Sequence, residues 1–326
     1  MPGIPILRLP YYVYEDVLKL MDIEEHIHLA ATSKRCLASV KQFLAQKPPM
    51  EFTLTRFSSR ITRLESNALQ RSVRIFGSSV ENEVKTIIPA CLTLFKITKC
   101  TLNVRQETFM ESKKYLEVLK GTYTVVTFRE GCYTRSREKT NPEHVIDVFR
   151  QVQEVSLTWS HRGGLFPKST IRPFQFEKLM ISSASWVNIQ HLTNLFINCK
   201  YVNLSKKCVL TNSEFRTFLK RWMKGSEMRG FRIHYSRFNM KIIVQGLEAT
   251  PFIGVIQIEN KEYMMQEGDC YTIEQENGQR AVVFHEYVNR ELFDFRMNTD
   301  FTILQGRVYR YRLYRNGSNR MMIPLP

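Results

Sequence analysis

Thr211-Asn212-Ser213-Glu214-Phe215-Arg216-Thr217-Phe218-Leu219-Lys220-Arg221-Trp222-Met223-Lys224-Gly225 is the clearest helix in the sequence. Thr211 and Glu214 stand at the spacing of a capping box, in which each side chain satisfies the other's backbone N–H. Phe215, Phe218, Leu219, Trp222 and Met223 fall on one stripe at helical spacing and should be buried. Lys220, Arg221 and Lys224 suit the negative end of the helix dipole, and Gly225 supplies the C′ residue that tolerates a left-handed backbone. The spacing predicts a helix over 212–224.

Outward from this helix, short alternating strand signals occur at Val155/Leu157, Leu179/Ile181, Val202/Leu204 and Phe231/Ile233. Their first residues recur at intervals of 24, 23 and 29. A second helical pattern covers 188–196, and Asn141-Pro142-Glu143 starts another with Val145, Val148, Phe149 and Val152 on one face. A strand-plus-helix unit of this length is the period of leucine-rich-repeat solenoids, whose units bury their apolar faces only by stacking. An α/β sheet with short crossover helices permits the same spacing. After residue 268 the helical patterns stop. Tyr271–Gln275 and Arg280–Phe284 read as a hairpin around Asn277-Gly278, and 292–297 and 307–314 read as further strands that would cap the solenoid.

The region 51–140 is mixed. Phe52–Thr55, Ser72–Phe76 and Tyr123–Phe128 alternate like strands, with helices expected near 84–94, broken by Pro89, and 107–119. Before it come three short helices. In the first, Val13, Val17, Leu20 and Met21 form the expected buried stripe, with Leu18 beside it. Asp22-Ile23-Glu24-Glu25 is a capping box opening the second, which should bury Ile27, Ala30 and Ala31. Ser33 caps the third, with Cys36, Leu37, Val40, Phe43 and Leu44 facing inward before Lys47-Pro48-Pro49. So small a core usually leans on a partner or on the rest of the chain.

Leu9-Pro10-x-x-Val13-x-x-x-Val17-Leu18-x-x-Met21, Ile27-x-Leu29 and Ser33-Lys34-Arg35 together resemble an F-box. The sequence departs from that motif at Tyr12, His26 and Cys36. The resemblance implies that Leu9, Pro10, Val13, Val17 and Leu18 meet a Skp-family adaptor, helped by Ile27, Leu29 and Arg35. Thr211-Asn212-x-x-Phe215-x-x-Phe218-Leu219-Lys220-x-Trp222-x-x-Gly225-Ser226 resembles the type 2 F-box-associated domain of the nematode F-box families, and Asn277-Gly278-x-Arg280-Ala281 with Phe295-Arg296-Met297 resembles its end. The expected fold class is therefore α+β / α/β: an F-box over 1–47, a mixed α/β region over 48–140, and an LRR-like substrate-recruiting domain with a β-hairpin cap over 141–326. The implied function is the substrate receptor of an SCF-type cullin–RING ubiquitin ligase, tied through the adaptor to a cullin and holding a protein substrate, with no enzymatic activity of its own.

The bulk chemistry agrees with an intracellular chain working in cytosol or nucleus. Seven scattered cysteines, none in C-x-x-C spacing, argue for buried thiols in a reducing compartment rather than disulfides or zinc. Arg8, Glu15 and Asp16 interrupt any apolar leader, and no apolar run is long enough to span a membrane. The net charge is +16, of which residues 1–50 hold only +1. A basic body suits an acidic protein substrate or nucleic acid. The nucleic-acid alternative has its own motif: Arg307-Val308-Tyr309-Arg310-Tyr311-Arg312-Leu313-Tyr314-Arg315 could grip a single strand by charge and stacking. Alternation of this kind is more often a half-buried strand with a solvated basic face. Ser160-His161-Arg162-Gly163-Gly164 lacks a nucleophile elbow and triad spacing, so it reads as a loop rather than a hydrolase site. His26-x-His28 misses the i, i+4 spacing of a helical zinc pair and reads as surface or packing histidine. With no P-loop and no G-x-G-x-x-G, no nucleotide cofactor is expected.

Overall fold

The computed structural model describes residues 8–58, 61–66, 71–76, 81, 83–129, 142–158, 172–205, 208, 210–235, 238–289, 292–304, 311–316 and 319–324. It has the mixed α/β character expected and divides into two compact units, Met1–Cys208 and Val209–Pro326.

The first unit opens with α1 (Tyr11–Leu20), α2 (Ile23–Thr32) and α3 (Lys34–Ala45). The Asp22/Glu25 capping box forms at 2.8 and 2.7 Å, and Ser33 Oγ accepts from Cys36 N–H at 3.1 Å. The unit's sheet is built on parallel neighbours in chain order: β1 (Met50–Ser58), β4 (Ile97–Arg105), β5 (Tyr123–Arg129), β6 (Glu154–Thr158), β7 (Lys178–Ser182) and β8 (Tyr201–Ser205). At the β1 edge, β2 (Ile61–Ser66) and β3 (Arg71–Phe76) add an antiparallel meander. The parallel ladder thus already runs through the region whose sequence reads as mixed.

Register explains why single-strand alternation was readable. Leu54, Leu102, Val126, Val155, Leu179 and Val202 are successive cross-strand partners, and all are buried. Val104, Phe128, Leu157, Ile181 and Leu204 form a second such row. Because side chains alternate faces, two stacked apolar rows fix the register of every strand: a slip by one residue would move both to the other face. The opposite face carries Thr55, Asn103, Thr127, Ser156, Met180 and Asn203, all half-buried.

Helices α4 (Ile88–Leu94), α5 (Phe109–Val118) and α6 (Pro142–Val148) pack their apolar sides inward. A π-helical turn, Glu83–Ile87, precedes α4, with Pro89 at the helix start where it removes no needed donor. On α6 Val145 and Ile146 are buried, as is Phe149 just after it, while Val148 is only half-buried. The 188–196 pattern holds a π-helical turn, His191–Leu195.

In the second unit, β13 (Cys270–Glu274), β14 (Arg280–Asn289), β15 (Leu292–Asn298) and β9 (Gly230–Tyr235) pair antiparallel in that order, with β10 (Thr250–Pro251) outside β13. Helix α7 (Asn212–Met223) has the predicted capping box, with Thr211 N–H donating to Glu214 Oε2 at 2.7 Å and Glu214 N–H to Thr211 Oγ1 at 3.3 Å. It lies on one sheet face, with ring centroids of Phe218 and Phe231 4.7 Å apart and of Phe215 and Phe295 4.9 Å apart. The Trp222 indole N–H donates to Met228 O at 2.9 Å, so the buried ring keeps its polar handle satisfied. Gly225 has φ +120, as its C′ position requires. Short α8 (Met240–Val244) follows β9. The other sheet face is covered by β11 (Gly254–Ile258), β12 (Lys261–Met265) and β16 (Thr302–Leu304), through a core of Ile256, Ile258, Met265, Cys270, Val282 and Phe284.

The predicted hairpin joins β13 to β14. Gln275 N–H donates to Gln279 O at 2.8 Å, Gly278 N–H donates to Gln275 O at 2.9 Å, and Gly278 has φ +85. This is a three-residue loop with glycine in the left-handed bulge position rather than a two-residue Asn-Gly turn. The two-residue turn is elsewhere: Glu259 and Asn260, at φ 50 and 66, join β11 to β12. Of the Arg/Tyr-rich segment, residues 307–310 lie outside the described residues, and β17 (Tyr311–Asn316) pairs with β18 (Asn319–Pro324). Ser160 and His161 also lie outside them.

Candidate adaptor-binding helices and buried charge clusters

The candidate adaptor-binding residues fall on α1–α3 and just before α1. Leu9, Val13 and Val17 are half-buried, and Pro10 is exposed with its carbonyl accepting from Tyr14 N–H at 3.0 Å. Leu18 is 1% exposed and faces the interior. Ile27 and Leu29 are half-buried on α2, and Arg35 is exposed on the first turn of α3. The expected stripe of Val13, Val17, Leu20 and Met21 is corrected: α1 buries Tyr14 and Leu18 instead. Leu20 is 76% exposed, and Tyr11 and Tyr12 are exposed with it. On α2 the buried residues are His26 and Ala30, while Ala31 is exposed. On α3, Cys36, Val40, Phe43 and Leu44 are buried as expected, while Leu37 is only half-buried.

A cleft of about 100 Å³ opens between α1 and α3, lined by Tyr11, Tyr14, Leu18 and Phe43 among others. Burial pushes the Tyr14 phenol pKa up, partly offset by its hydrogen bond with Ser39. His26 takes the place of an apolar core residue. Its ring stacks on Phe43, centroids 5.9 Å apart, and meets the edge of Phe95 at 6.4 Å. The solvent side carries weak ion pairs, Lys19 with Asp16 at 3.0 Å and with Glu15 at 3.4 Å. Helix α1 thus carries large apolar side chains on its solvent side as well as its core side.

Two clusters of buried charge were not legible in the sequence. In the first unit, Glu143 Oε1 lies 2.8 Å from His191 Nε2, both fully buried. Asn188 brings its backbone N–H and side-chain oxygen to Nδ1, at 3.1 and 2.8 Å. Burial holds the His191 pKa below its usual value, against the pull of Glu143. Sealed from solvent, this pair holds α6 against the π-helical turn and has no access to a substrate. Glu143 reads locally as a helix-dipole acid, so only its partner, 48 residues away, reveals its role.

In the second unit Asp294, fully buried on β15, pairs with Arg232 at 2.6 Å and with His234, both on β9. Glu286 on β14 pairs with Arg296 at 2.5 Å and Lys261 at 2.6 Å, and Arg296 donates to the Tyr263 hydroxyl at 3.0 Å. Glu286, Asp294 and His234 are successive cross-strand partners, and Arg296 stands opposite Arg232 in the next row, so the two facing acids are held by bases from the neighbouring row and three strands are tied together. Among the described residues no group of three His, Cys, Asp or Glu side chains could hold a metal ion, and no helix is long and apolar enough to cross a membrane. The six described cysteines are free and buried; burial pushes Cys91, Cys100, Cys199 and Cys270 up to about 12, out of the range of reactive thiolates.

Comparison with known proteins gives two likenesses. Residues 169–230 match the family model described as F-box associated. The chain is also 30% identical over 123 residues to the Skn-1 dependent zygotic transcript 15 protein of Caenorhabditis elegans, a match covering 37% of this chain and 35% of that protein. The chain thus spans about a third of the length of the curated relative it matches. No solved structure matches. The family match includes β7, β8 and α7, and so bears out the resemblance read from Thr211–Ser226.

Proposed function

We propose that this chain is the substrate receptor of an SCF-type cullin–RING ubiquitin ligase, binding a Skp-family adaptor through α1–α3 and a protein substrate through the residues that follow. The observation that carries the reading is the presence on one chain of the F-box-associated match at 169–230 and an N-terminal helix that leaves Tyr11, Tyr12 and Leu20 bare. In this reading the bare residues add to the contact surface that the F-box resemblance assigns to Leu9, Pro10, Val13 and Val17. Leu18 supports that surface from beneath, and Ile27, Leu29 and Arg35 extend it.

The mechanism is positional. The adaptor links the chain to a cullin, and the bound substrate's lysines are held at high effective concentration beside the charged ubiquitin-conjugating enzyme. No chemistry falls to this chain, which works in cytosol or nucleus. Coexpression with Skp-family adaptors tests the reading. A one-to-one complex should form with at least one adaptor and be lost when Leu9, Pro10 and Val13 become alanine. Undiminished binding by that variant, or no binding to any adaptor, overturns it. The nucleic-acid alternative rests on the net charge of +16 and the Arg/Tyr-rich stretch 307–315, and it predicts salt-sensitive oligonucleotide binding weakened by neutralising Arg310 and Arg312.

A further inference from the structure

We infer that the groove between the last turn of α7 and the open end of β13 docks an extended peptide with acidic side chains at two alternate positions. The inference rests on the substrate-receptor reading and names the feature of the substrate that is recognised.

Hydrogen-bond parity identifies the open edge. Gln275 and Gln279 form a hydrogen-bonded pair across the β13–β14 hairpin. Alternation then turns the backbone groups of Ile273 and Tyr271 toward β14, and those of Glu274, Thr272 and Cys270 away from it. The last two are met: Phe252 N–H donates to Cys270 O at 3.0 Å, and β10 sets Thr250 opposite Thr272. β10 starts at Thr250, and the chain before it turns through Gly246, at φ +73. Glu274 therefore presents its N–H and C=O to the groove with no strand opposite, among the described residues. Beyond it the edge is closed, because Glu276 N–H donates to Met223 O at 2.9 Å.

The groove measures about 730 Å³, room enough for a few residues of extended chain. Met223, Leu247 and Ile273 give it apolar walls, and Lys220 and Lys224 stand on its helix side one turn apart. Strand addition fixes where a guest's side chains go. The guest residue opposite Glu274 would point to the same sheet face as Glu274. Its two neighbours would point to the other face. That is the α7 face, since Tyr271, Val283, Met297 and Phe231 are successive cross-strand partners and Phe231 packs on Phe218. Those neighbours meet Lys220 and Lys224, which calls for acids there. Glu248 and Glu276 line the same groove and would repel an unbroken acidic run, so the fitting pattern is acid–x–acid.

The probe is a displayed library of random peptides selected on the full chain. Enriched peptides are then synthesised and titrated against the wild type, Glu274→Pro, and the double variant Lys220→Glu/Lys224→Glu. The Glu274 N–H takes no part in the β13–β14 ladder, so proline removes the outward donor and leaves that ladder intact. Enriched peptides should carry the acid–x–acid pattern and bind Glu274→Pro about tenfold more weakly. Selection on the double variant should replace the acids with Lys or Arg. No enrichment, equal binding to Glu274→Pro, or an unchanged pattern on the double variant each overturns the inference. Adaptor capture by the same preparations separates the two proposals: adaptor binding without peptide enrichment overturns the groove alone, and the reverse overturns the receptor reading alone.

Discussion

Helices α1 and α7 are both short, amphipathic and rich in aromatics, yet they use their apolar residues in opposite ways. On α7, Phe215, Phe218, Leu219 and Trp222 are all fully buried, and the exposed residues are the polar Ser213, Thr217, Lys220 and Arg221. On α1, only Tyr14 and Leu18 go inside, while Tyr11, Tyr12 and Leu20 face solvent. The first is a helix whose stability comes from its own sheet. The second leaves large apolar side chains in solvent, the surface that the proposed adaptor would cover. In the receptor reading, the difference separates residues that hold the chain together from residues that meet the adaptor.

The largest expected effect lies on the closed side of this comparison. Trp222→Ala should destabilise the second unit by about 3–5 kcal/mol, through lost burial and the orphaned Met228 carbonyl. The measure is the urea midpoint, and a change under about 1 kcal/mol would mean that α7 is not part of the unit's cooperative core.

Acid should come next. Burial lowers the His191 pKa and brings His285 down to about 4. In the unfolded chain both rings titrate near 6.5, so between about 6.5 and 4 the unfolded state binds more protons. Stability therefore falls as pH drops through that window, by up to about 3 kcal/mol for His285. Melting temperatures recorded from pH 7 to 4.5 should fall, and His285→Gln should flatten the profile. A flat wild-type profile would place these rings in solvent.

The two capping boxes give a smaller and better-matched test. Thr211→Ala and Asp22→Ala each remove one side-chain acceptor at a helix start, worth about 1 kcal/mol. Loss of the Asp22 cap should also weaken adaptor binding, because α2 is held by a small core. The Thr211 variant should bind the adaptor normally, and equal losses from both would erase the distinction between the two regions.

The same contrast decided what was legible. Phe215, Phe218, Leu219 and Trp222 occupy one side of a helix with charge opposite, so a single period fits. Around α1, Tyr11, Tyr12, Val13, Tyr14, Val17, Leu18 and Leu20 place apolar groups on several sides, and spacing alone cannot choose the inner one. Val13–Met21 was the wrong choice because Tyr14 supplies a larger buried ring than Val13. The strands at 155, 179 and 202 were legible because each contributes to apolar rows of fixed register. The Glu143–His191 pair and the Asp294 network were not, since partners 48 and 62 residues apart leave no local pattern. The open backbone of Glu274 was invisible too, because it depends on where β10 begins and not on any side chain.

The smallest expected effect on stability is the most informative about function. Leu20→Ser changes a residue with three quarters of its surface in solvent, so the urea midpoint should move by no more than about 0.5 kcal/mol. If α1 docks a partner through its bare side, the same substitution takes an apolar anchor out of a desolvated interface, and adaptor affinity should fall about tenfold. Leu18→Ala should show the opposite balance. It opens a cavity beside Tyr14 and Phe43, costing about 2–5 kcal/mol, while leaving the outer side chains unchanged. Titrating adaptor into both variants at a temperature where both stay folded reads the two effects separately. Stability loss without affinity loss for Leu18, and the reverse for Leu20, would confirm that one helix divides its apolar residues between fold and partner. Normal affinity in Leu20→Ser would shift the docking surface to Leu9, Val13 and Val17 and leave the exposed leucine without a role.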